Sequence, residues 1–151
     1  MNGRGSLNVN ATRWLLVGIV CFAGCSAENG PARSRVVGRV NVDGHPLPSG
    51  MIRLTPIEGT RGPTAGASIA EGMFVVRQDR GPVRGKHRVE IRAYRQTGRK
   101  VAEPGLGEGV LVDETEQYLP AHYNDESTLV LDVRERSQTF DVDLTLEPSA
   151  P

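Results

Sequence analysis

Few residues in this sequence have the side chains that catalysis or metal binding requires. The chain has two cysteines, Cys21 and Cys25, and three histidines, His45, His87 and His122. A zinc site needs three or four converging ligands, but these histidines fall in a turn, a predicted strand and a late loop. The Cys21–Cys25 spacing has no second ligand pair, and no serine lies in a G-x-S-x-G setting. The sequence therefore predicts no catalytic residue, no metal site and no cofactor.

Charge is segregated along the middle of the chain. Residues 77–100 hold nine basic and two acidic side chains, whereas residues 101–116 hold five acids and no base. Lys86, Arg88 and Arg92, on the outer face of a strand, are the candidate residues for binding an anionic lipid or acidic polysaccharide, although this is the less favoured interpretation. The favoured interpretation is a solvated sheet face that the acidic segment partly covers. Asp113-Glu114-Thr115-Glu116 could bind calcium only loosely, since it lacks the glycine and twelve-residue spacing of a calcium loop.

The first 24 residues are predicted to be a leader rather than part of the fold. Arg4 and Arg13 give a positive start without an acid, and residues 14–23 form an apolar run that is too short to span a bilayer. The run ends in Phe22-Ala23-Gly24-Cys25, which resembles the bacterial lipoprotein signal. That resemblance implies cleavage before Cys25 and acylation (palmitate) of this cysteine, with phenylalanine standing where leucine is usual. An ordinary secretory peptide and a retained membrane helix remain as alternatives.

The elements that position the charged residues are predicted to be strands. Formal net charge is zero, aromatic content is 5%, and 18 glycines and 10 prolines indicate many turns. Two-residue alternation favours seven strands, at residues 36–42, 50–56, 65–69, 73–76, 85–95, 128–133 and 139–146. Residues 96–118 are predicted to be a long loop, whose glycines and Pro104 argue against regular structure in its first half. Phe140, Val142, Leu144 and Leu146 are expected to point inward, and Glu90 outward.

Two motifs resemble those of a known family. They are V-x-G-x-V-x-x-D-G-x-P-L-P-S-G at residues 36–50 and GKHRVEIRAY at residues 85–94. Together they resemble the carboxypeptidase regulatory-like domain, and with the lipoprotein signal they are similar to small lipoproteins of planctomycete bacteria. The resemblance implies a seven-stranded antiparallel, transthyretin-like (immunoglobulin-like) sandwich. A hydrolase of urate breakdown shares that fold, but its Tyr-Arg-Gly-Ser ending is absent here.

These observations predict four segments and a role. Residues 1–24 are the signal peptide, 25–34 a lipidated tether, 35–147 the β-sandwich and 148–151 a tail. We expect a non-enzymatic cell-envelope lipoprotein that is membrane-anchored on the extracytoplasmic side, facing the periplasm or on the cell surface. It would act as a structural or interaction module with an envelope protein or polysaccharide, and not with nucleic acid. A binding module for an anionic glycan or lipid is the first alternative, and a transthyretin-related hydrolase the second.

Overall fold

The computed structural model describes residues 30–103, 105, 107 and 109–146. They form β-strands and two 3₁₀ turns, at Gln78–Arg80 and Ala121–Tyr123, so the predicted all-β class is confirmed. The predicted signal peptide, Cys25 and the tail lie outside the described residues. In chain order the strands are β1 (Arg35–Val42), β2 (His45–Pro46), β3 (Ser49–Pro56), β4 (Ala65–Ala70), β5 (Met73–Val76), β6 (Gly85–Arg92), β7 (Tyr94–Ala102), β8 (Leu111–Gln117), β9 (Val130–Val133), β10 (Ser137–Thr139) and β11 (Val142–Leu144).

A single curled sheet organises the domain. Its hydrogen-bonded order is β10-β1-β5-β4-β3-β6-β9, and β2 and β11 also pair with β1. The pairs are antiparallel except those of β1 with β10 and β11, which are parallel. At the open seam between the two ends of this order, the Gln138 side chain donates from Nε2 to the Asp132 carbonyl (2.9 Å) and accepts from the Arg134 backbone N–H (3.1 Å). One glutamine side chain thus links β9 to β10.

β10 and β11 behave as one interrupted strand beside β1. Val37 pairs with Thr139 and Val40 with Val142, so the register is the same on both sides of the interruption. Between these pairs, a Cβ at Gly38 would lie 1.8 Å from the Phe140 carbonyl oxygen. Only glycine therefore fits at position 38, which explains the glycine of the first motif.

The inner face of the sheet encloses one aliphatic core. Its fully buried members include Val36, Val40, Ile52, Leu54 and Ile91. His87, Val89 and Ile91, at alternate positions of β6, are buried on the core side of the sheet. This agrees with the two-residue alternation of the sequence. Phe140 and Val142 are partly buried against the core, but the prediction that Leu146 points inward is wrong, since it is 38% exposed.

The prediction of an irregular loop is wrong, because most of residues 96–118 belongs to a β-hairpin. β7 and β8 pair from Tyr94↔Gln117 to Ala102↔Leu111, with a register shift between Gln96 and Lys100. Gly98, with φ of 78°, lies within that shift, and the remaining glycines lie near the turn. β7 and β8 form a separate two-stranded sheet whose side chains are mostly exposed. The hairpin therefore projects from the main sheet.

The predicted tether enters the folded body before its expected end. Ser34 is buried, and its backbone N–H donates to the Pro82 carbonyl (2.8 Å). Arg33 forms an isolated antiparallel bridge with Val83. The first main-sheet strand is thus held at its start by the segment that precedes β6.

Candidate functional site

The three predicted ligand-binding cations lie at alternate positions on β6, and each has an acidic partner. Lys86 Nζ lies 2.5 Å from Glu58 Oε2, and this hydrogen bond raises the pKa of Lys86. Arg92 makes two hydrogen bonds to the Asp125 carboxylate, which raise the pKa of Arg92 and lower that of Asp125. The structure brings the predicted cations onto one strand, but an anionic ligand would have to compete with carboxylates already in place.

Arg88 has a structural partner that the alternation did not reveal. The prediction that Glu90 points into solvent is wrong, because it is only 5% exposed. Arg88 donates to Glu90 Oε1 from Nε (3.1 Å) and Nη2 (2.6 Å), and Arg53 Nη1 lies 3.6 Å from Oε2. A buried carboxylate requires such partners. Arg88 therefore compensates a buried charge, which limits its freedom to bind a ligand.

The acidic segment forms a ladder of ion pairs within the hairpin. Arg95 pairs with Glu116, Arg99 with Glu114 and Lys100 with Asp113, at 2.7–2.8 Å. A hydrogen bond from the Thr97 hydroxyl (2.6 Å), together with Arg99, lowers the pKa of Glu114. The acids considered for calcium thus face β7 cations, and they pair with β7 instead of covering β6. The cross-strand pairing explains why a glycine-containing segment forms strands.

The base of the hairpin is fixed by the segment that follows it. The Tyr118 backbone N–H donates to the Ala93 carbonyl (3.2 Å), and the Arg95 guanidinium lies 5.3 Å from the centre of the Tyr118 ring. Buried Asn124 donates to the carbonyls of Leu119 (3.2 Å) and Pro120 (2.9 Å). The Tyr118 contacts join positions that are more than twenty residues apart, whereas the Asn124 bonds are local and hold the turn at Ala121–Tyr123.

The three histidines are separated in the fold. His45 is exposed on β2 and hydrogen-bonds the Asp43 carbonyl, while His122 contacts the Tyr123 ring with centroids 4.0 Å apart. His87 is fully buried, and Nδ1 lies 3.0 Å from the Gly85 carbonyl oxygen. Because a carbonyl can only accept, Nδ1 carries the proton, and Nε2 has no hydrogen-bond partner. Burial lowers the pKa of His87, which favours the neutral ring.

The described part of the chain has neither a cluster of metal-ligating side chains nor a helix suited to cross a membrane. Within residues 30–103, 105, 107 and 109–146, no three His, Cys, Asp or Glu side chains are arranged to hold a metal ion. Over the same residues, no helix has both the length and the apolar character needed to cross a membrane.

The fold and the surface geometry define a mostly β domain with a charged, projecting hairpin. No family model, curated protein or solved structure matches this chain.

Proposed function

We propose that this chain is a lipid-anchored, non-enzymatic protein of the bacterial cell envelope that acts as an interaction module. The anchor is the acylated Cys25, and the interacting element is the β7–β8 hairpin, Tyr94–Gln117. The projection of this hairpin from the main sheet is the observation on which the interaction role depends.

Physical reasoning links the hairpin to binding. A two-stranded hairpin without a packed face is marginally stable in water, and exposed ion pairs contribute only about 0–1 kcal/mol each. Here the ladder of Arg95, Arg99 and Lys100 with their acids fixes the strand pairing, yet the side chains stay exposed. A partner that covers the hairpin would supply the missing burial.

The position of the hairpin agrees with display away from an anchored end. The N-terminal segment enters beside the start of β6, where Arg33 pairs with Val83. The hairpin follows the other end of β6, after Arg92. An eight-residue strand spans about 26 Å. A protein anchored at Cys25 would therefore carry the base of the hairpin roughly one strand length from its anchored end.

We also propose that the curled sheet is a transthyretin-like sandwich of the carboxypeptidase regulatory-like kind. The support is the seven-strand order with a single enclosed core, together with the two motifs quoted above. A binding module that uses Lys86, Arg88 and Arg92 is the less favoured alternative, since each of the three has a carboxylate partner.

Metabolic labelling tests the anchor. Cells that express the full chain are labelled with a palmitate analogue, and membrane and soluble fractions are compared. We expect Cys25→Ala to abolish labelling and to reduce membrane association, while Cys21→Ala leaves mature-protein labelling intact. Unchanged labelling of the Cys25→Ala protein would exclude the anchor.

Site-specific crosslinking in cells tests the hairpin. A photoreactive amino acid replaces exposed Ala102 on β7 or, as a control, exposed Ser68 on β4. We expect discrete crosslinked envelope species from position 102 and not from 68. A second variant retains Tyr94–Gln96 and Thr115–Gln117 and joins them by Asn-Gly, a two-residue hairpin turn. Because the shortened variant lacks position 102, its binding is read by affinity purification of the same envelope species. Equal crosslinking from positions 102 and 68, or capture of that species by the shortened variant, would refute the role of the hairpin.

A further inference from the structure

One end of the domain gathers basic residues from four separate segments. This basic end comprises residues 30–35, 57–63, 77–86 and 132–137. Hydrogen bonds join the segments: the Arg35 backbone N–H donates to the Arg136 carbonyl (2.7 Å), and the Lys86 backbone N–H donates to the Thr60 side-chain hydroxyl (3.0 Å). Arg33 Nη1 also donates to the Gly81 carbonyl (3.1 Å). The four segments therefore form one surface, although they are far apart in sequence.

The formal charges of the described residues are divided between this end and the rest. The basic end holds nine Lys or Arg and four Asp or Glu side chains, a formal charge of +5. The remaining described residues hold seven basic and eleven acidic side chains, a formal charge of −4. A chain whose overall charge is near zero thus has a strongly positive end. Composition alone gave no indication of this separation.

Ion pairing follows the same division. Six of the seven cations outside the basic end have a carboxylate partner: Arg53, Arg88, Arg92, Arg95, Arg99 and Lys100. Within the basic end, by contrast, five exposed arginines make no side-chain ion pair or hydrogen bond among the described residues: Arg35, Arg61, Arg80, Arg84 and Arg136. A surface groove of about 450 Å³ runs beside Arg136, with Pro31, Arg33 and Gln78 in its lining. Three other cations of the basic end are paired with acids: Arg77 with Asp79, Lys86 with Glu58 and Arg134 with Asp132. The five unpaired arginines are therefore the guanidinium groups available to an external anion.

The chain enters the domain at this end. Gly30, which lines the groove, is five residues after Cys25. Five residues span at most about 18 Å. If Cys25 is acylated, the short connection keeps the basic end close to the bilayer surface, and in this respect the inference rests on the proposed function.

We infer that the basic end binds the anionic phospholipid headgroups of the membrane that carries the anchor, through Arg35, Arg61, Arg80, Arg84 and Arg136. Guanidinium groups bind phosphate oxygens in a planar, two-point geometry and are always charged. The contact orients the domain with its hairpin base away from the bilayer. This surface is different from the outer face of β6, where Lys86, Arg88 and Arg92 each have a carboxylate partner.

Vesicle binding measures this contact directly. The full chain carrying Cys25→Ala, which has no acyl group, is sedimented with phosphatidylcholine vesicles with or without phosphatidylglycerol. Binding to the neutral vesicles measures the apolar contribution of the leader. Arg4 and Arg13 of the leader add the same part of the anionic increase in every variant, so the difference between variants is the signal. Each basic residue near an anionic surface contributes roughly a fivefold gain in partitioning. We expect a gain of tenfold or more at about 50 mM NaCl and its loss at about 500 mM, where charges are screened within a few ångströms.

Two variants with the same change in charge locate the signal. Arg80→Glu, Arg84→Glu and Arg136→Glu together should remove most of the anionic increment and leave only the part due to Arg4 and Arg13 of the leader. The control combines Arg95→Glu, Arg99→Glu and Lys100→Glu on the hairpin and should retain most of it. Equal loss in both variants would show that only net charge matters and would overturn the proposal. Equally strong binding to a soluble sulfated polysaccharide would assign the surface to a glycan and would also overturn it.

Orientation supplies a second readout. In a chain carrying Cys21→Ala and Cys25→Ala, a fluorophore is attached through Gln78→Cys at the basic end or Ala102→Cys on the hairpin, both exposed. With a headgroup acceptor in phosphatidylglycerol vesicles, energy transfer should be stronger from position 78. Equal transfer from both positions would contradict the proposed orientation. Because these proteins have no acyl chain, a failure here is distinct from a failure of the Cys25 labelling experiment.

Discussion

Removal of the His87 imidazole should abolish a pH dependence of folding stability between pH 7.5 and 5.5. The ring is fully buried, its Nδ1–H donates to the Gly85 carbonyl (3.0 Å), and Nε2 has no partner. Burial lowers its pKa from the ordinary value of 6.5. The unfolded chain therefore binds a proton that the folded chain excludes. Stability is fully present above pH 6.5 and is lost as the pH falls toward the lowered folded-state pKa.

The size of the effect follows from one proton. Below pH 6.5 the free energy of unfolding should fall by at most about 1.4 kcal/mol per pH unit. His87→Leu removes that slope. At pH 7.5 the variant loses one neutral hydrogen bond, about 1 kcal/mol, and also removes an unsatisfied buried nitrogen that costs about 1–3 kcal/mol. Since the change of shape costs up to about 1.5 kcal/mol, the net effect at pH 7.5 should be small.

Guanidinium chloride unfolding at pH 7.5, 6.5 and 5.5 provides the assay. The range stays above the ordinary pKa values of carboxylates, so that Asp125 and Glu114 do not contribute. His45→Gln, at an exposed position, is the matched control and should keep the wild-type slope. A slope that survives in His87→Leu, or a wild-type stability that is constant over this range, would refute the assignment.

Three further substitutions test packing and polar contacts by the same unfolding measurement. Gly38→Ala should cost about 3 kcal/mol or more, because its Cβ would meet the facing carbonyl at 1.8 Å; a cost under about 1 kcal/mol would show that the strand can move aside. Arg88→Ala should cost about 2 kcal/mol because it leaves the buried Glu90 carboxylate with only the more distant Arg53. Lys86→Ala, which breaks an exposed ion pair, should cost much less, and equal costs would contradict a structural role for Arg88. Gln138→Ala should cost about 1–2 kcal/mol by removing both bonds across the seam; a neutral result would mean that β9 and β10 are held by other contacts.

The sequence was informative where alternation reports a sheet with one buried face. Val89 and Ile91 lie at alternate positions between charged residues, and both are fully buried. The seven predicted strand segments all contain strands of the main sheet, although residues 139–146 contain an interruption at Phe140 and Asp141. Periodicity detects these segments because burial on one face fixes the side-chain pattern.

Features set by long-range contacts were not predictable from the same pattern. Glu90 occupies an outward position, yet arginines from β3 and β6 enclose its carboxylate. The hairpin was missed because its strands bury almost nothing, so they show little hydrophobic alternation and their glycines dominated the interpretation. The basic end was missed because its charges come from four segments that only the fold brings together. Contacts between residues that are far apart in the sequence determine all three features, and a single sequence gives no direct sign of such contacts.

The parallel pairing of β1 with β10 and β11 has a mechanical consequence. The six paired positions run from Arg35↔Ser137 to Val42↔Leu144, so both strands point from the basic end to the opposite end. A pull between the N-terminal and C-terminal ends of the domain therefore loads these two neighbouring strands in shear. The inter-strand hydrogen bonds resist together instead of opening one after another. A protein that is anchored at its N-terminus and pulled from its C-terminal end would therefore resist unfolding through these parallel strands, because shear requires several hydrogen bonds to break at once.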